Sequence, residues 1–311
     1  MKLSKLQMER ICDKLGCNLI SYSYLASGNH NDIYLIKSEK GNYVMKVGED
    51  SKRLVDEFNT IKNLKKGLGQ KVYFFDSSHK VLPKTFFIQE QLIGKHPTKK
   101  VNDNFVISIA KWYRTLHGIT STNIDPKEKK IFHSLSYWAN YQINKSEQDR
   151  ENVSDNIIHE INNFFKEIKE LSEKHEALFK TRKKFSLNQN DPSEENIFIT
   201  KNGIRVIDWE FSGYGLYERD LILFLERYKL SKKQEDLFFN YYGKNKSDLT
   251  KKMNILSLIL SCGDISYLLN RLSLLKQGKI SKLKQSSKKQ QLIRRLKDII
   301  GQAKKKLKEI R

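Results

Sequence analysis

Apolar and polar positions alternate with a period of two over "IYLIK" (33–37) and again over "YVMKV" (43–47), which predicts two β-strands. Between them "KSEKGN" carries a Gly-Asn turn signal, so the pair reads as an antiparallel hairpin. The period then changes. In "RLVDEFNTIKNLKKGLG" (53–69), Leu54, Phe58, Ile61 and Leu64 recur at helical spacing, with Gly67 or Gly69 as the stop. "KVYFFD" (71–76) and "TFFIQEQLI" (85–93) read as two further strands. After Gly94 the apolar positions follow a helical period through "NFVISIAKWYRTLHGI", "FHSLSYWANYQI" and "NIIHEINNFFKEIKELSEKHEALF". Two short strands, "NIFIT" and "IRVIDW", are joined by Lys201-Asn202-Gly203, and the chain is helical again from Tyr217. The predicted fold class is α+β. A small antiparallel sheet with one interposed helix fills residues 1–93, a larger mainly helical part fills 94–275, and a basic amphipathic helix fills 276–311.

Composition narrows the class without naming a function. The chain has 311 residues, 38% of them hydrophobic and 30% charged, which suits a globular protein with a sizeable core. No run of 18 uncharged apolar residues stands out as a membrane span, and the charged start "MKLSKLQMERICDKLG" reads as a first helix rather than a leader. Cys12, Cys17 and Cys262 form no CxxC pair, which predicts buried thiols and a cytoplasmic setting. The seven histidines have no ligand spacing, so no structural zinc site is expected.

Charge is uneven. The formal net charge is +22, and residues 276–311 hold 14 Lys or Arg against Asp298 and Glu309, giving +12 of that total. From Lys288 onward, Leu292, Ile293, Leu296, Ile299, Ile300, Ala303, Leu307 and Ile310 share one helical face, with lysines and arginines on the other. Such a helix packs on a core with its basic side in solvent, or touches an anionic membrane or nucleic acid. No protein partner is indicated.

Candidate chemistry centres on "LNQNDPSEENIFIT" (187–200). A polar loop carrying Asp191 and Asn196 runs straight into a strand, and Asp208 follows the next strand, twelve residues after Asn196. Mg²⁺ takes hard oxygen ligands, which Asn196 and Asp208 at the ends of two hairpin strands could supply. Asp191 could take or orient the proton of a hydroxyl nucleophile. Upstream, Lys46 lies on a strand with Glu57 eleven residues later on a helix, and Ser27-Gly28-Asn29-His30-Asn31 forms a turn whose Gly28 would let backbone N–H groups approach phosphates.

"NDPSEENIFI" followed by "VIDWEFSG" resembles the aminoglycoside phosphotransferase and choline kinase family, relatives of protein kinases. That family's loop reads H-G-D or H-N-D, four residues, then N-[IV]-[LI], and its metal motif reads I-D-[WF]. The resemblance covers about residues 20–275, and it is specific in the 190–213 segment and loose before it. It implies a bilobal protein-kinase-like fold and an enzyme transferring the γ-phosphate of ATP, with Mg²⁺, to a hydroxyl of a small molecule. In that frame Asp191 is the catalytic carboxylate, Asn196 and Asp208 are the Mg²⁺ ligands, and Lys46 holds phosphate with Glu57 as its partner. Ser27, Gly28 and Asn31 would cover the phosphates, and backbone near Gln89 to Gln91 would bind adenine. Asp220 would brace the active-site loops, and His117 in "TLHGI" would pack. One departure stands out: Gln189 replaces the loop histidine.

"IDWEFSGYG" is closer to the choline-kinase form of the motif, which makes choline or another amino alcohol the leading acceptor, ahead of an aminoglycoside or sugar. Glu210, Tyr214 and Asp264 are the candidate substrate residues. A wider aromatic set, Trp209, Tyr217, Tyr241, Tyr242 and Tyr267, could build a cage for a quaternary ammonium, although aromatics at such places more often fill a core. A scaffold that binds without catalysis is the competing reading, supported by Gln189 alone.

Overall fold

The computed structural model describes residues 3–27, 31–48, 51–147, 149–180, 182–279 and 285–310. In chain order the elements are α1 (Lys5–Leu15), β1 (Leu19–Ser27), β2 (Asn31–Ser38), β3 (Gly41–Gly48), α2 (Ser51–Lys62), β4 (Val72–Asp76), β5 (Thr85–Glu90), α3 (Asp103–His117) and β6 (Thr120–Ser121). There follow α4 (Pro126–His133), α5 (Leu135–Glu147), α6 (Asp155–Lys174), α7 (Ala177–Lys180), β7 (Phe185–Asn188), β8 (Ile197–Thr200), β9 (Gly203–Val206) and β10 (Gly213–Gly215). The last four are α8 (Tyr217–Tyr228), α9 (Lys232–Tyr242), α10 (Lys246–Lys276) and α11 (Gln285–Ile310). The expected α+β class is what the chain adopts, with an antiparallel sheet first and mostly helix afterwards.

Contacts divide the chain into two compact units whose segments interleave along the sequence. The first unit is 1–119, 187–213 and 223–243; the second is 120–186, 214–222 and 244–311.

In the first unit five strands pair in the order β1-β2-β3-β5-β4. The β2–β3 register runs from Asn31 opposite Gly48 to Ser38 opposite Gly41, so the turn is Glu39-Lys40. Gly41 opens β3 at φ 129°, and Ser38 Oγ donates to its carbonyl at 2.9 Å, which moves the turn two residues ahead of the expected Gly-Asn. One sheet face, with Tyr34, Ile36, Met45, Val47, Phe86 and Ile88, packs on Met8, Ile11 and Cys12 of α1. Strand alternation sends Lys46 to the opposite face. There α2 lays down its apolar stripe, Leu54, Glu57, Phe58 and Ile61, with Phe58 stacked on Phe75 at 4.4 Å between centroids. Glu57 occupies an apolar-stripe position, and it is 1% exposed.

The β8–β9 hairpin belongs to the same unit. Val206 N donates to Leu68 O at 3.0 Å, Lys95 and Ile199 exchange two backbone hydrogen bonds at 3.1 and 2.8 Å, and Trp112 Nε1 donates to Leu68 O at 3.0 Å. Arg205 closes a fork on Glu90, 2.8 and 2.7 Å, at the end of β5. Gly94 makes the close approach possible, because a Cβ there would sit 2.7 Å from the Ile199 carbonyl oxygen.

In the second unit, α5, α6 and α11 pack around α10, with Trp138, Phe164, Ile255, Ile259 and Ile265 fully or nearly buried. The Arg182 guanidinium pairs with Glu218 at 2.7 and 2.5 Å, and Glu218 has no exposed surface. Among the described residues one helix, Leu249–Lys276, is long and apolar enough to cross a membrane by length and composition, although Asp264 interrupts its apolar run; 61% of that window is buried inside the protein, as in a core helix. All three cysteines are free and buried.

Several elements depart from the sequence pattern. The strand β1 went unread because register shifts at Leu19/Ser21 and Tyr24/Ala26 break its alternation, leaving Ile20, Tyr24 and Leu25 exposed. In β7 all four residues are buried, so no alternation exists to read. Two predicted helices are interrupted, at Ser134 between α4 and α5 and after Lys174 between α6 and α7, and α2 stops at Lys62 rather than at Gly67.

Candidate active site

The site grows from the buried charge on β3. Lys46 is 6% exposed, and its Nζ lies 2.8 Å from Glu57 Oε2, 3.0 Å from Glu57 Oε1 and 2.8 Å from Asp208 Oδ1. One ammonium thus ties a strand, a helix and the segment after β9. Burial opposes the lysine charge, but the Glu57 and Asp208 carboxylates outweigh it and hold the ammonium above the ordinary lysine value. For Glu57, burial dominates. It pushes the carboxyl up to about 7 against the pull of Lys46, and the Asp208 charge adds to the push. Glu57 Oε1 also accepts from Trp209 N at 3.2 Å, which fixes the chain one residue past Asp208.

The polar loop is built around Gln189, which is 1% exposed. Its Oε1 accepts from Asp191 N at 2.8 Å and its Nε2 donates to Asp208 O at 3.0 Å. A single amide side chain therefore joins the two segments that carry the carboxylates. Asn190 and Asp208 take left-handed conformations, φ 66° and 60°, which Asn and Asp adopt more readily than most residues. Asn190 Nδ2 donates to Phe211 O at 2.8 Å. Asp191 Oδ2 accepts from Asn196 Nδ2 at 2.9 Å, and Oδ1 accepts from the Ser193 hydroxyl. The Asn196 carbonyl accepts from Ile207 N at 2.9 Å, so the two proposed metal ligands lie on directly bonded segments.

An outer set of residues, missed in the sequence, holds this loop. His96 Nδ1 lies 3.2 Å from Glu194 O and 3.1 Å from Ile197 O; two carbonyls can only accept, so Nδ1 carries the proton. Arg227 donates to Glu194 Oε2 through Nε at 3.0 Å and through Nη2. That fork, more than burial opposes it, keeps the Glu194 carboxyl below its usual range. The loop from Ser193 to Ile197 is thus clamped on both sides of Asn196. Glu194 in the polar loop was the visible half of this clamp; Arg227 stands 33 residues away, beyond the reach of local spacing.

The remaining candidates separate. Asn31 is in β2, and its Nδ2 donates to Glu210 Oε2 at 3.3 Å, so these two predicted residues meet. Gly28 lies outside the described residues, as does the side chain of Ser27. Gln89 sits within β5 opposite Val44 and Val72, with its side chain accepting from Gln70 at 2.8 Å. Gln91 is the first residue past the strand. Tyr214 is half-buried in β10 and Asp264 is exposed on α10, both in the second unit. The aromatics named from the sequence have individual surroundings of their own. Trp209 and Tyr242 are core residues, 0% and 3% exposed, and the Tyr217 ring already faces Arg182 at 4.8 Å and Lys244 at 4.3 Å. Lys111 lies over Tyr241 at 5.0 Å. His117 packs as expected, with its Nδ1 2.9 Å from the Tyr242 hydroxyl and its ring on Tyr113. Asp220 is fully buried in α8.

Among the described residues no group of three His, Cys, Asp or Glu could hold a metal. The residues that would hold a hard cation are Asn196, through its amide oxygen, and Asp208, whose Oδ1 engages Lys46 and whose Oδ2 does not. Two protein oxygens fit Mg²⁺ completed by phosphate and water, and they fit no all-protein cage.

The family model of the phosphotransferase enzyme family matches residues 21–253. No curated protein matches the chain by sequence. Solved structures that share its fold include the choline kinase LicA of Streptococcus pneumoniae, TM-score 0.64 at 18% identity, covering 98% of each chain. A spectinomycin phosphotransferase in complex with ADP and spectinomycin superposes at TM-score 0.63 and 14% identity, covering 98% of this chain and 99% of that one. An ethanolamine kinase of Plasmodium vivax follows at TM-score 0.58 and 16% identity, covering 81% of this chain and 76% of that one.

Two outcomes are expected. Glu57 binds its proton more tightly in the folded chain, about 7, than at the ordinary 4.5, so its contribution to stability is fully present below about pH 4.5 and is lost as pH rises toward 7. Urea unfolding without nucleotide or metal should show wild type losing on the order of 2–3 kcal/mol relative to Glu57→Gln between about pH 5 and about pH 8. Parallel curves for the two proteins would refute the assignment. For Gln189, replacement by leucine should cut turnover about 10- to 100-fold by freeing both carboxylate segments, while Gln189→His, which keeps one donor and one acceptor, should restore most of it. Steady-state kinetics on the purified variants decides.

Proposed function

The chain belongs to the phosphotransferase enzyme family, and we propose that it transfers the γ-phosphoryl group of ATP to a hydroxyl of a small cationic alcohol, with amino alcohols as the leading class. The observation that carries this reading is the buried Lys46 ammonium, 2.8 Å from both Glu57 and Asp208, in the same compact unit as the Asp191–Asn196 loop. A lysine oriented by one carboxylate beside a second carboxylate suits a polyphosphate with its cation. An inert scaffold has no need of that arrangement, since a buried charge cluster costs stability that an apolar one would not.

In this reading Lys46 donates to phosphate oxygens, with Glu57 keeping its long side chain from folding away. Asn196 Oδ1 and Asp208 Oδ2 would hold Mg²⁺, which supplies charge neutralisation at the phosphates and a template for the leaving group. Asp191 accepts the proton of the acceptor hydroxyl as its oxygen bonds to the γ-phosphorus and the bond to the ADP oxygen breaks. Asn196 and Ser193 aim the Asp191 carboxylate, and Gln189 sets its backbone. Backbone at Gln91, just past β5, would meet the adenine edge, with Asn31 towards the phosphates.

The acceptor class rests on the "IDWEFSG" segment and on Glu210 two residues past Asp208. Since Trp209 and Tyr242 are core residues, and Arg182 and Lys244 already lie over Tyr217, the acceptor's cation would be read by carboxylates more than by an aromatic cage. This favours acceptors whose ammonium carries N–H donors over quaternary ones.

The test is ATP consumption with Mg²⁺ over ethanolamine, choline, aminoglycosides and simple sugars, beside Asp191→Ala. Phosphorylation of an amino alcohol, reduced at least about a thousandfold in the variant, is the expected result. Turnover of an aminoglycoside or sugar alone would move the acceptor class. Absence of turnover together with absence of ATP binding would leave the scaffold reading.

A further inference from the structure

The proposed phosphotransfer leaves the basic C-terminal helix unexplained, and that helix has a built feature. Where α10 and α11 meet in the second unit, a cavity of about 190 Å³ opens between two helical rows. Tyr267, Arg271 and Leu275 stand at four-residue spacing on α10, and Lys288, Leu292 and Arg295 line it from α11. Leu275 and Leu292 give the lining its apolar part, beside the Gln291 amide. Arg271, Lys288 and Arg295 ring it, and none of the three has a carboxylate partner among the described residues. Tyr267 is 55% exposed at the rim, with the Arg271 guanidinium 5.9 Å from its ring centre.

We propose that this groove seats the phosphate of an anionic phospholipid and docks the α10–α11 face of the protein on an anionic membrane surface. The volume is too small for a nucleotide or a drug-sized ligand and is of the order of one headgroup. Three unpaired cations beside two leucines match a phosphodiester whose glycerol end is apolar. A half-exposed tyrosine beside them suits the interfacial zone, where an aromatic body meets lipid and its hydroxyl meets water. Charge complementarity extends beyond the groove, because residues 276–311 hold +12 of the chain's +22. Lys289, Arg294, Lys297, Lys305 and Lys308 are exposed on α11.

The mode of binding follows from the packing. Leu296, Ile300, Ala303 and Leu307 are the buried side of α11, against α10 and α6, and Lys304 reaches Glu160 at 3.3 Å. That stripe is committed inside the protein, so α11 does not insert into lipid. Attachment is electrostatic, with the groove as its one specific contact. A nucleic-acid duplex would meet the same cations, but the two leucines offer its phosphates nothing.

The experiment is co-sedimentation of the full chain with vesicles of phosphatidylcholine alone and of phosphatidylcholine with phosphatidylglycerol, at low and high salt. Wild type should sediment with the anionic vesicles only, and less at high salt. The variant Arg271→Gln/Lys288→Gln/Arg295→Gln should lose roughly fivefold in partitioning per charge, about a hundredfold together, at an unchanged melting temperature. A comparison variant, Lys14→Gln/Lys62→Gln/Lys66→Gln, removes the same charge from exposed sites in the first unit and should stay within about twofold of wild type. Equal losses in both variants, or no sedimentation of wild type with anionic vesicles, would overturn the proposal. So would duplex DNA binding tighter than vesicle binding and lost in the groove variant, which would assign the groove to nucleic acid.

Discussion

The charge of Lys46 is the constraint around which the first unit is arranged. An ammonium at 6% exposure requires carboxylates within hydrogen-bonding distance, and the fold brings two from distant parts of the chain, 11 and 162 residues away. Strand alternation turns Lys46 away from the α1-covered core, the apolar stripe of α2 delivers Glu57, and the β8–β9 hairpin delivers Asp208. One cation against two carboxylates leaves the cluster a negative charge in excess, which burial and Asp208 express as the raised carboxyl of Glu57. Such a cluster is costly as a structural device and useful as a receptor for a polyanion with its metal ion.

Around that charge, polar side chains do what hydrophobic packing cannot. Gln189 links the backbone of Asp191 to that of Asp208, Asn196 links Asp191 to the strand behind it, and Trp209 N returns to Glu57. His96 and Arg227 fasten the loop from outside, and Arg205 fastens the hairpin to the end of β5. Each bond alone contributes about 1 kcal/mol, and their combined effect is positional. They hold two left-handed residues, Asn190 and Asp208, in place and keep the carboxylates on fixed segments.

How much of this was legible in the sequence depends on the range of each signal. The two central hairpins follow from alternation, and α2, α3 and α6 follow from a helical period because each buries one stripe, whereas α10, buried on several sides, shows as helical by its length and apolar content. The strand β1 hides behind its bulges and β7 behind complete burial, where periodicity carries no information. The candidate site was legible as a set of residue types, Lys46, Glu57, Asp191, Asn196 and Asp208, because their spacing resembles a family pattern. The structure brings Lys46, Glu57 and Asp208 together and sets Asp191 against Asn196. The replacement of histidine by Gln189 read as a departure, yet the glutamine amide supplies the donor and acceptor the loop needs. The supports His96, Arg205 and Arg227 were not legible, since their partners are about 30 to 115 residues away and no local pattern marks them. Aromatics in a helical protein more often fill cores or carry cations of the chain itself than build a ligand cage, and Trp209, Tyr242 and Tyr217 do so.

The central claim is that the Lys46 charge exists for phosphate. Calorimetric binding of ATP with Mg²⁺ and of adenosine, to wild type and to Lys46→Met, tests it most directly. The account predicts that the variant loses about tenfold or more in affinity for ATP while its affinity for adenosine stays the same, since only the polyphosphate meets the ammonium. Equal ATP affinity in the two proteins would contradict it and return Lys46 to the role of a structural ion pair.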